Sequence, residues 1–221
     1  MKRAFCLIIS IALLLSLCAC GGPSKEELEE QRRAQELQRL EEEKRQSEQL
    51  VGEISLKLMD AARALDIKTL KSFYDSDSSE VLGSYFDVLP EKYLELLRTW
   101  SDKTSFELEE SYLTAADKGV ATLKVTYLNA DDVLKQAGPE FQTRFASVFQ
   151  KSGTMNEDDV ADLFIECLKN SAEKNAPAEE TLEIQIPFVL IDGEWKADVF
   201  TQEMLDIFFL KIERSRQVFS K

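Results

Sequence analysis

The chain has 221 residues, with 27 basic and 41 acidic side chains, no histidine and a net charge of −14 at neutral pH. The absence of histidine excludes Ser-His and Cys-His catalysis and every histidine-ligated metal site. The acidic balance argues against nucleic-acid binding, because contact with phosphates requires a basic surface. Carboxylate, lysine or tyrosine chemistry and metals bound by oxygen ligands remain open by composition, and we expect neither a cofactor nor a metal site.

The N-terminus carries a short apolar segment. Two basic residues precede about fourteen uncharged residues, Ala4 to Leu17, which suits a signal peptide and falls short of the roughly twenty residues of a spanning helix. The segment closes on Leu17-Cys18-Ala19-Cys20, which resembles the lipobox of bacterial lipoproteins. This resemblance implies that residues 1–19 are removed as a signal peptide and that lipid is attached to Cys20. The alternative is an uncleaved signal anchor.

Lipidation of Cys20 would hold the protein on the outer, extracytoplasmic face of the cell membrane. Each buried acyl carbon contributes about 0.8 kcal/mol, so a multiply acylated cysteine holds firmly where one chain does not. Without residues 1–19 the chain has 25 basic and 41 acidic residues, a net charge of −16, which argues against broad adhesion to anionic headgroups. Besides Cys20 only Cys167 would remain, so no internal disulfide can form; apolar neighbours predict that Cys167 is buried in a helix.

Residues 20–49 form a charged segment without an apolar face. Ser24 and Glu27 have the spacing of a capping box, and good helix formers of mixed charge follow. We therefore predict a solvated helical stalk, with a disordered stalk as the alternative. The leucines sustain no heptad, which makes a coiled coil the minor interpretation; they are Leu28, Leu37 and Leu40.

The globular domain is predicted to span residues 50–221 and to begin with helices. Apolar residues recur at helical spacing from Leu50 to Leu65, and short helices are expected near 69–74, over 81–88 and after Pro90. The run Asp75 to Glu80 is expected to be a loop or a helix cap. It starts like a calcium-binding loop but lacks the glycine and the last acidic ligand of that motif.

Two β-hairpins are predicted from alternating apolar residues and turn signals. In the first, Phe106, Leu108 and Tyr112 are expected on one face, with a turn at Asp117-Lys118-Gly119 before a strand over 120–128. In the second, a strand over 182–190 turns at Asp192-Gly193 into residues 194–197.

Helices are predicted between and after the hairpins. Residues 131–174 are expected to be helical, with a break at Gly138-Pro139, an end at Ser152-Gly153 and a new cap at Asn156. Thr201 is expected to open a final helix that reaches Ile212. The order of elements predicts an α+β domain, because the strand–helix–strand alternation of parallel sheets is missing.

Two segments resemble a family of small Gram-positive lipoproteins of unknown function. They are Ala116 to Tyr127, and Ile186-Pro187-Phe188 through Asp192-Gly193-Glu194-Trp195-Lys196-Ala197. The resemblance covers about residues 50–214. It implies a cystatin-like, nuclear-transport-factor-like cone, in which helices pack in the concavity of a curved antiparallel sheet. The helical insert over 131–175 is longer than the simplest cone requires.

A cone-shaped sheet can enclose a pocket or groove, so the first hypothesis is a non-catalytic module that binds a ligand or a protein. Its candidate lining residues can equally fill the core; they are Tyr112, Tyr127, Phe188 and Trp195. One alternative is a structural or interaction protein of the cell envelope, which an exposed apolar patch would favour. Another is a small enzyme that uses carboxylate and tyrosine acid–base chemistry, for which Asp198 and Glu183 are considered.

The expected partners follow from the anchor and the charge. The membrane is contacted through the lipid on Cys20, and the domain meets an unknown envelope protein or a small ligand. Nucleic acid is not an expected partner.

Overall fold

The computed structural model describes residues 24–87 and 89–211. The predicted signal peptide, Cys20 and Ile212 lie outside these residues. Within them the chain forms seven helices and one four-stranded antiparallel sheet, which confirms the predicted α+β class with helices packed on a sheet.

The order of elements matches the predicted order of helices and hairpins. Along the chain they are α1 (Lys25–Arg63), α2 (Ile67–Ser72), α3 (Ser76–Phe86), α4 (Glu91–Ser101), β1 (Ser105–Ala115), β2 (Lys118–Asn129), α5 (Asp131–Ser152), α6 (Glu157–Lys174), β3 (Ala178–Ile191), β4 (Glu194–Ala197) and α7 (Gln202–Phe208).

The contacts divide the chain into two units, residues 1–45 and residues 46–221. In the first unit the described part of α1 is exposed throughout. Its start has the predicted capping box: the Ser24 amide donates to the Glu27 carboxylate at 2.7 Å, and the Glu27 amide donates to the Ser24 hydroxyl at 3.2 Å. Side-chain pairs such as Arg39–Glu43 at 3.4 Å support a helix that has no apolar face. The long charged helix is therefore confirmed.

The sheet has the order β1-β2-β3-β4, and helices cover one of its faces. On that covered face Leu123, Val125 and Ile186 are fully buried. The second part of α1 packs closely there, because a Cβ placed on Gly52 would lie 2.7 Å from Leu108 Cδ2. Alternation along β2 and β3 puts charged and polar side chains on the other face.

The prediction that Tyr112 shares a face with Phe106 and Leu108 is wrong. The register between β1 and β2 shifts after Leu108, which pairs with Leu123, so that Tyr112 pairs with Val120. One extra residue in a strand turns every later side chain to the opposite face. Tyr112 therefore lies on the face that the helices do not cover.

The predicted turn of the first hairpin lies slightly too late in the chain. Residues 116–117 form the turn, and Lys118 and Gly119 already belong to β2. Gly119 serves packing here, because an added Cβ would lie 2.9 Å from Val51 Cγ2 of α1. The second hairpin turns where predicted, at Asp192 and Gly193, with φ angles of 51° and 84°.

The predicted break at Gly138-Pro139 is also wrong, because α5 continues through Pro139 to Ser152. A proline inside a helix removes one backbone hydrogen bond and costs about 3 kcal/mol. Apolar contacts on both sides of the proline compensate: Leu134 and Ala137 are buried before it, and Phe141 packs on the core after it.

Several predicted helix ends are confirmed by their hydrogen bonds. Asp75 caps α3, Asn156 caps α6 and Thr201 caps α7, each by accepting a backbone amide three residues later. Gly153 ends α5 in the left-handed conformation, with φ of 73°. Cys167 is fully buried in α6 as predicted, and burial raises the pKa of its thiol.

Candidate functional site

An apolar groove lies beside the second hairpin and has a volume of about 400 Å³. We call it the Trp195 groove. Its walls come from α1, from the end of α2 and the residue after it, and from the turn and strand of the β3–β4 hairpin. The lining residues are Leu50, Ile54, Ser72, Phe73, Gly193, Glu194, Trp195 and Lys196.

The β3–β4 turn fixes the position of Trp195. Asp192 and Gly193 adopt left-handed angles, which a two-residue hairpin turn requires, and Leu190 is then paired directly with Trp195. The Trp195 side chain lies on the covered side of the sheet and is 6% exposed. It therefore forms a wall of the groove while most of its ring is packed in the domain.

Phe73 reaches the groove because the chain after α2 runs along the edge of β4. The Ala197 amide donates to the Phe73 carbonyl at 2.7 Å, and Tyr74 forms a parallel bridge with Ala197. The Tyr74 ring is buried, and its hydroxyl donates to Met204 Sδ at 3.6 Å. Burial also raises the pKa of Tyr74. This anchoring holds the half-buried Phe73 side chain at the groove.

The opposite wall is one stripe of α1. Leu50 and Ile54 are four residues apart, so they lie on the same side of the helix, while Val51 beside them is fully buried in the core. Leu50 is 43% exposed. An exposed leucine at the edge of an apolar groove leaves surface that a bound group can cover.

The polar rim of the groove is electrically neutral. Lys196 Nζ lies 2.9 Å from the Glu194 carboxylate and donates to the Ser72 carbonyl at 3.1 Å. The hydrogen bond from Lys196 also lowers the pKa of Glu194, so this carboxyl is ionised at neutral pH. The groove thus presents apolar walls and a paired charge, which suits an apolar group next to a polar backbone or headgroup.

The structure does not bring the four sequence-predicted lining residues together. Trp195 lines the groove, whereas Tyr127 and Phe188 are core residues at 1% and 2% exposure, and Tyr112 lies on the other face of the sheet. Sequence reasoning missed Leu50, Ile54, Phe73 and Lys196 as groove residues. The only local signal was Leu50, an apolar residue at the boundary between the charged segment and the apolar stripe.

A polar cluster lies at the other end of β3. Lys211 Nζ is 2.6 Å from the Glu180 Oε2 atom, Asn129 Nδ2 donates to the same carboxylate at 2.8 Å, and Lys211 Nζ is 5.9 Å from the Tyr127 ring centroid. The hydrogen bond from Lys211 lowers the pKa of Glu180, and burial raises the pKa of Tyr127. The Ala130 amide also donates to the Leu210 carbonyl at 3.0 Å. This hydrogen bond and the Lys211–Glu180 pair together hold the residues after α7 against the sheet.

The carboxylates considered for acid–base chemistry lie outside the groove. Glu183 and Asp198 are both exposed, and Glu183 pairs across the sheet with Lys124. A buried carboxyl occurs at Asp206, which is 3% exposed and accepts a hydrogen bond from Gln202 at 3.1 Å. None of the helices described over residues 24–87 and 89–211 has both the length and the apolar character needed to cross a membrane.

Comparison with known proteins finds little similarity to this chain. No family model and no curated protein matches the chain. Among solved structures, the crystal structure of the candidate lipoprotein ycdA from Bacillus subtilis is weakly similar, with 12% sequence identity and a TM-score of 0.37. The similarity covers 71% of this chain and 57% of that one, so this chain spans less than two thirds of the Bacillus protein.

Proposed function

We propose that this protein is an extracytoplasmic lipoprotein, anchored by lipid on Cys20, whose folded domain is a non-catalytic binding module. The anchor is supported by Leu17-Cys18-Ala19-Cys20 and the uncharged segment before it. We also infer a cystatin-like cone for the domain, which is supported by the packing of helices on one face of an antiparallel sheet.

The observation that carries the binding function is the Trp195 groove. Ligand sites are concave and mainly apolar, with a few polar groups that orient the ligand. The groove has this composition, and Leu50 at its edge is 43% exposed although it neighbours the fully buried Val51. The occupant that fits is an apolar side chain of an envelope protein or the apolar part of a small ligand.

A catalytic role receives less support from the same groove. Acid–base catalysis needs a carboxyl group held against apolar walls, where its pKa can be tuned. The carboxylate among the lining residues is Glu194, whose side chain is 73% exposed and paired with Lys196. Glu194 and Lys196 therefore form an ion pair at the surface.

A second candidate function, an interaction protein of the cell envelope, is favoured by a different observation. Val148 and Phe149 of α5 are 39% and 48% exposed, although both are apolar and adjacent. Contiguous exposed apolar patches are typical of sites that contact another protein, a membrane or a ligand.

Site-specific photo-crosslinking in intact bacterial cells tests the groove. Position 50 borders the groove, so a benzophenone amino acid placed there should react on irradiation with whatever the groove binds. The adduct should then be found on the peptide that contains position 50. The matched control is position 40 of the same helix, where Leu40 is 50% exposed outside the groove.

Mass spectrometry of the two labelled chains distinguishes the outcomes. We expect a defined protein or small-molecule adduct from position 50 and none from position 40. Equal labelling from both positions, or none from either, would contradict binding at the groove.

A further inference from the structure

A chain of aromatic rings runs along the α5–α6 pair from the domain core toward the turn between these helices. It begins at Tyr93 of α4, which is 6% exposed, and ends at Phe149, which is 48% exposed. The ring centroids of Tyr93–Phe164, Phe164–Phe141, Phe141–Phe145 and Phe145–Phe149 are 6.2, 5.4, 5.8 and 5.9 Å apart. The outer rings thus pack on inner rings that belong to the domain core or contact it.

The outer end of this chain is an apolar surface, which we call the hairpin patch and define as Phe145, Val148 and Phe149. Their spacing of three and four residues places them on one side of α5. The Phe149 ring stacks on the Phe145 ring with an interplanar angle of 18°. Because the two rings already contact each other, a partner that covers them restricts fewer free side-chain conformations than it would on two isolated rings.

The charge next to the hairpin patch is mainly negative. α5 ends at Ser152 and α6 begins at Glu157, so the first turn of α6 lies at the same end of the helix pair as Phe149. This turn carries three exposed carboxylates, which we call the acidic turn: Glu157, Asp158 and Asp159. α5 contributes two basic residues near the patch: Lys151 in its last turn, and Arg144, which is already paired with Glu140 and Glu166. Farther along α6, the Nζ atom of Lys92 from α4 lies 2.5 Å from the Asp162 carboxylate.

We propose that the hairpin patch docks a protein segment that presents apolar side chains flanked by lysine or arginine. Apolar side chains would cover Val148 and Phe149, and the cationic flank would face the acidic turn. Complementary charge of this kind speeds association and rejects acidic partners. The proposal rests on the second candidate function, that of an interaction protein, and does not depend on the Trp195 groove or on the lipid anchor.

Charge also decides against the two other occupants of an exposed apolar surface. A second copy of the chain would bring a net charge of −14 to a surface of the same sign. An anionic lipid surface would be repelled in the same way. The segment that fits best is therefore a cationic one from another protein.

The test uses residues 21–221, which is the predicted mature chain without Cys20, and a short synthetic helix of leucine and lysine with all leucines on one side. A glutamate version of the same peptide is the charge control. Binding is measured by fluorescence anisotropy of the labelled peptide at about 0.15 M salt, where long-range attraction is screened. We expect the lysine peptide to bind and the glutamate peptide not to bind.

One double variant and a control double variant locate the binding surface. The double substitution Val148→Ser with Phe149→Ser should weaken binding about tenfold or more, the equivalent of about 1.4 kcal/mol. The control replaces apolar residues of similar exposure elsewhere, Val81→Ser with Val199→Ser, and should change the affinity by less than about twofold; Val81 and Val199 are 52% and 48% exposed.

Two triple variants, one at the acidic turn and one control, measure how much charge contributes to peptide binding. Neutralising the acidic turn with Glu157→Gln, Asp158→Asn and Asp159→Asn should weaken binding about fivefold, a loss on the order of 1 kcal/mol. The control neutralises three exposed carboxylates of β1, by Glu107→Gln, Glu109→Gln and Glu110→Gln, and should have little effect. All variants alter exposed residues, so their circular dichroism spectra should match that of the wild type.

Three results would overturn the proposal. Equal losses from the two acidic triple variants would show that the peptide binds by net charge alone. Unchanged binding in the Val148→Ser, Phe149→Ser variant would place the contact elsewhere. Sedimentation that reveals a dimer lost in this variant would make a second copy the occupant.

Discussion

Trp195 combines two properties that usually exclude each other. Its ring is 6% exposed and cross-strand paired with Leu190, as in a core residue, yet it also forms a wall of the groove. The packing of Trp195 depends on the left-handed Asp192-Gly193 turn, which directs the strand back over β3. Stability and the proposed ligand binding are therefore linked at this residue.

We predict that Trp195→Ala lowers the free energy of unfolding by about 3–5 kcal/mol, the usual loss for a buried tryptophan. Chemical denaturation of wild type and variant measures this change. The exposed Val199 gives the control, since Val199→Ala should stay within about 0.5 kcal/mol of the wild type. A change below about 1 kcal/mol for Trp195→Ala would mean that the ring serves the groove and contributes little to the core.

The Glu180–Lys211 pair predicts a dependence of stability on pH. Because Lys211 lowers the pKa of Glu180 in the folded chain, the pair stabilises the fold above the unfolded pKa of about 4.3 and loses this effect as the pH falls through the folded value. The Glu180 side chain is 35% exposed, so solvent limits the gain to the order of 1 kcal/mol at neutral pH.

Urea denaturation of wild type and Glu180→Gln between pH 3 and pH 7 checks this dependence. The stability difference between the two proteins should be largest near neutral pH and should shrink below about pH 4. A difference that is constant over the whole range would contradict an ionic role for Glu180.

At the scale of elements, α1 changes character along its length. Before Gln46 its described residues are exposed, whereas Val51 and Leu58 in its later turns are fully buried. Glu48 also accepts a hydrogen bond from the Leu113 amide of β1 at 3.2 Å. The part that the domain requires therefore starts within about one turn of Gln46.

A chain that starts at Ser47 should melt within a few degrees of the mature protein, because the residues it lacks have no apolar stripe. A chain that starts at Lys57 is the control; it lacks the Glu48 and Val51 contacts and should melt more than about 10 °C lower. Differential scanning calorimetry compares the three chains. A loss of more than about 10 °C on starting at Ser47 would show that the charged segment stabilises the domain.

The elements that sequence reasoning predicts well are those with local signals. Caps at Asn156 and Thr201 and the Asp192-Gly193 turn depend on side chains and backbone angles of a few neighbouring residues. The bulge after Leu108 and the helix through Pro139 have no such local signature. Each is decided by packing against distant residues, as is the pairing of Phe73 with Ala197 that completes the groove.

For the whole molecule, we base one account on the strong acidity of the chain and on the short apolar segment that is predicted to be a signal peptide. A net charge of −14 favours solubility and repels anionic lipid surfaces, so we propose that the protein is held at the membrane by a covalent lipid. The lipobox-like Leu17-Cys18-Ala19-Cys20 supplies a site for it. In this account the domain meets its partners through surfaces of its own, the Trp195 groove and the hairpin patch.

Metabolic labelling with a radioactive fatty acid tests the central claim, which is attachment through Cys20, most directly. In bacterial cells that express the full chain, the wild type, Cys18→Ser and Cys167→Ser should all carry label. Cys20→Ser should carry none and should accumulate as an uncleaved or released protein. Label retained on Cys20→Ser at the wild-type level would contradict the account.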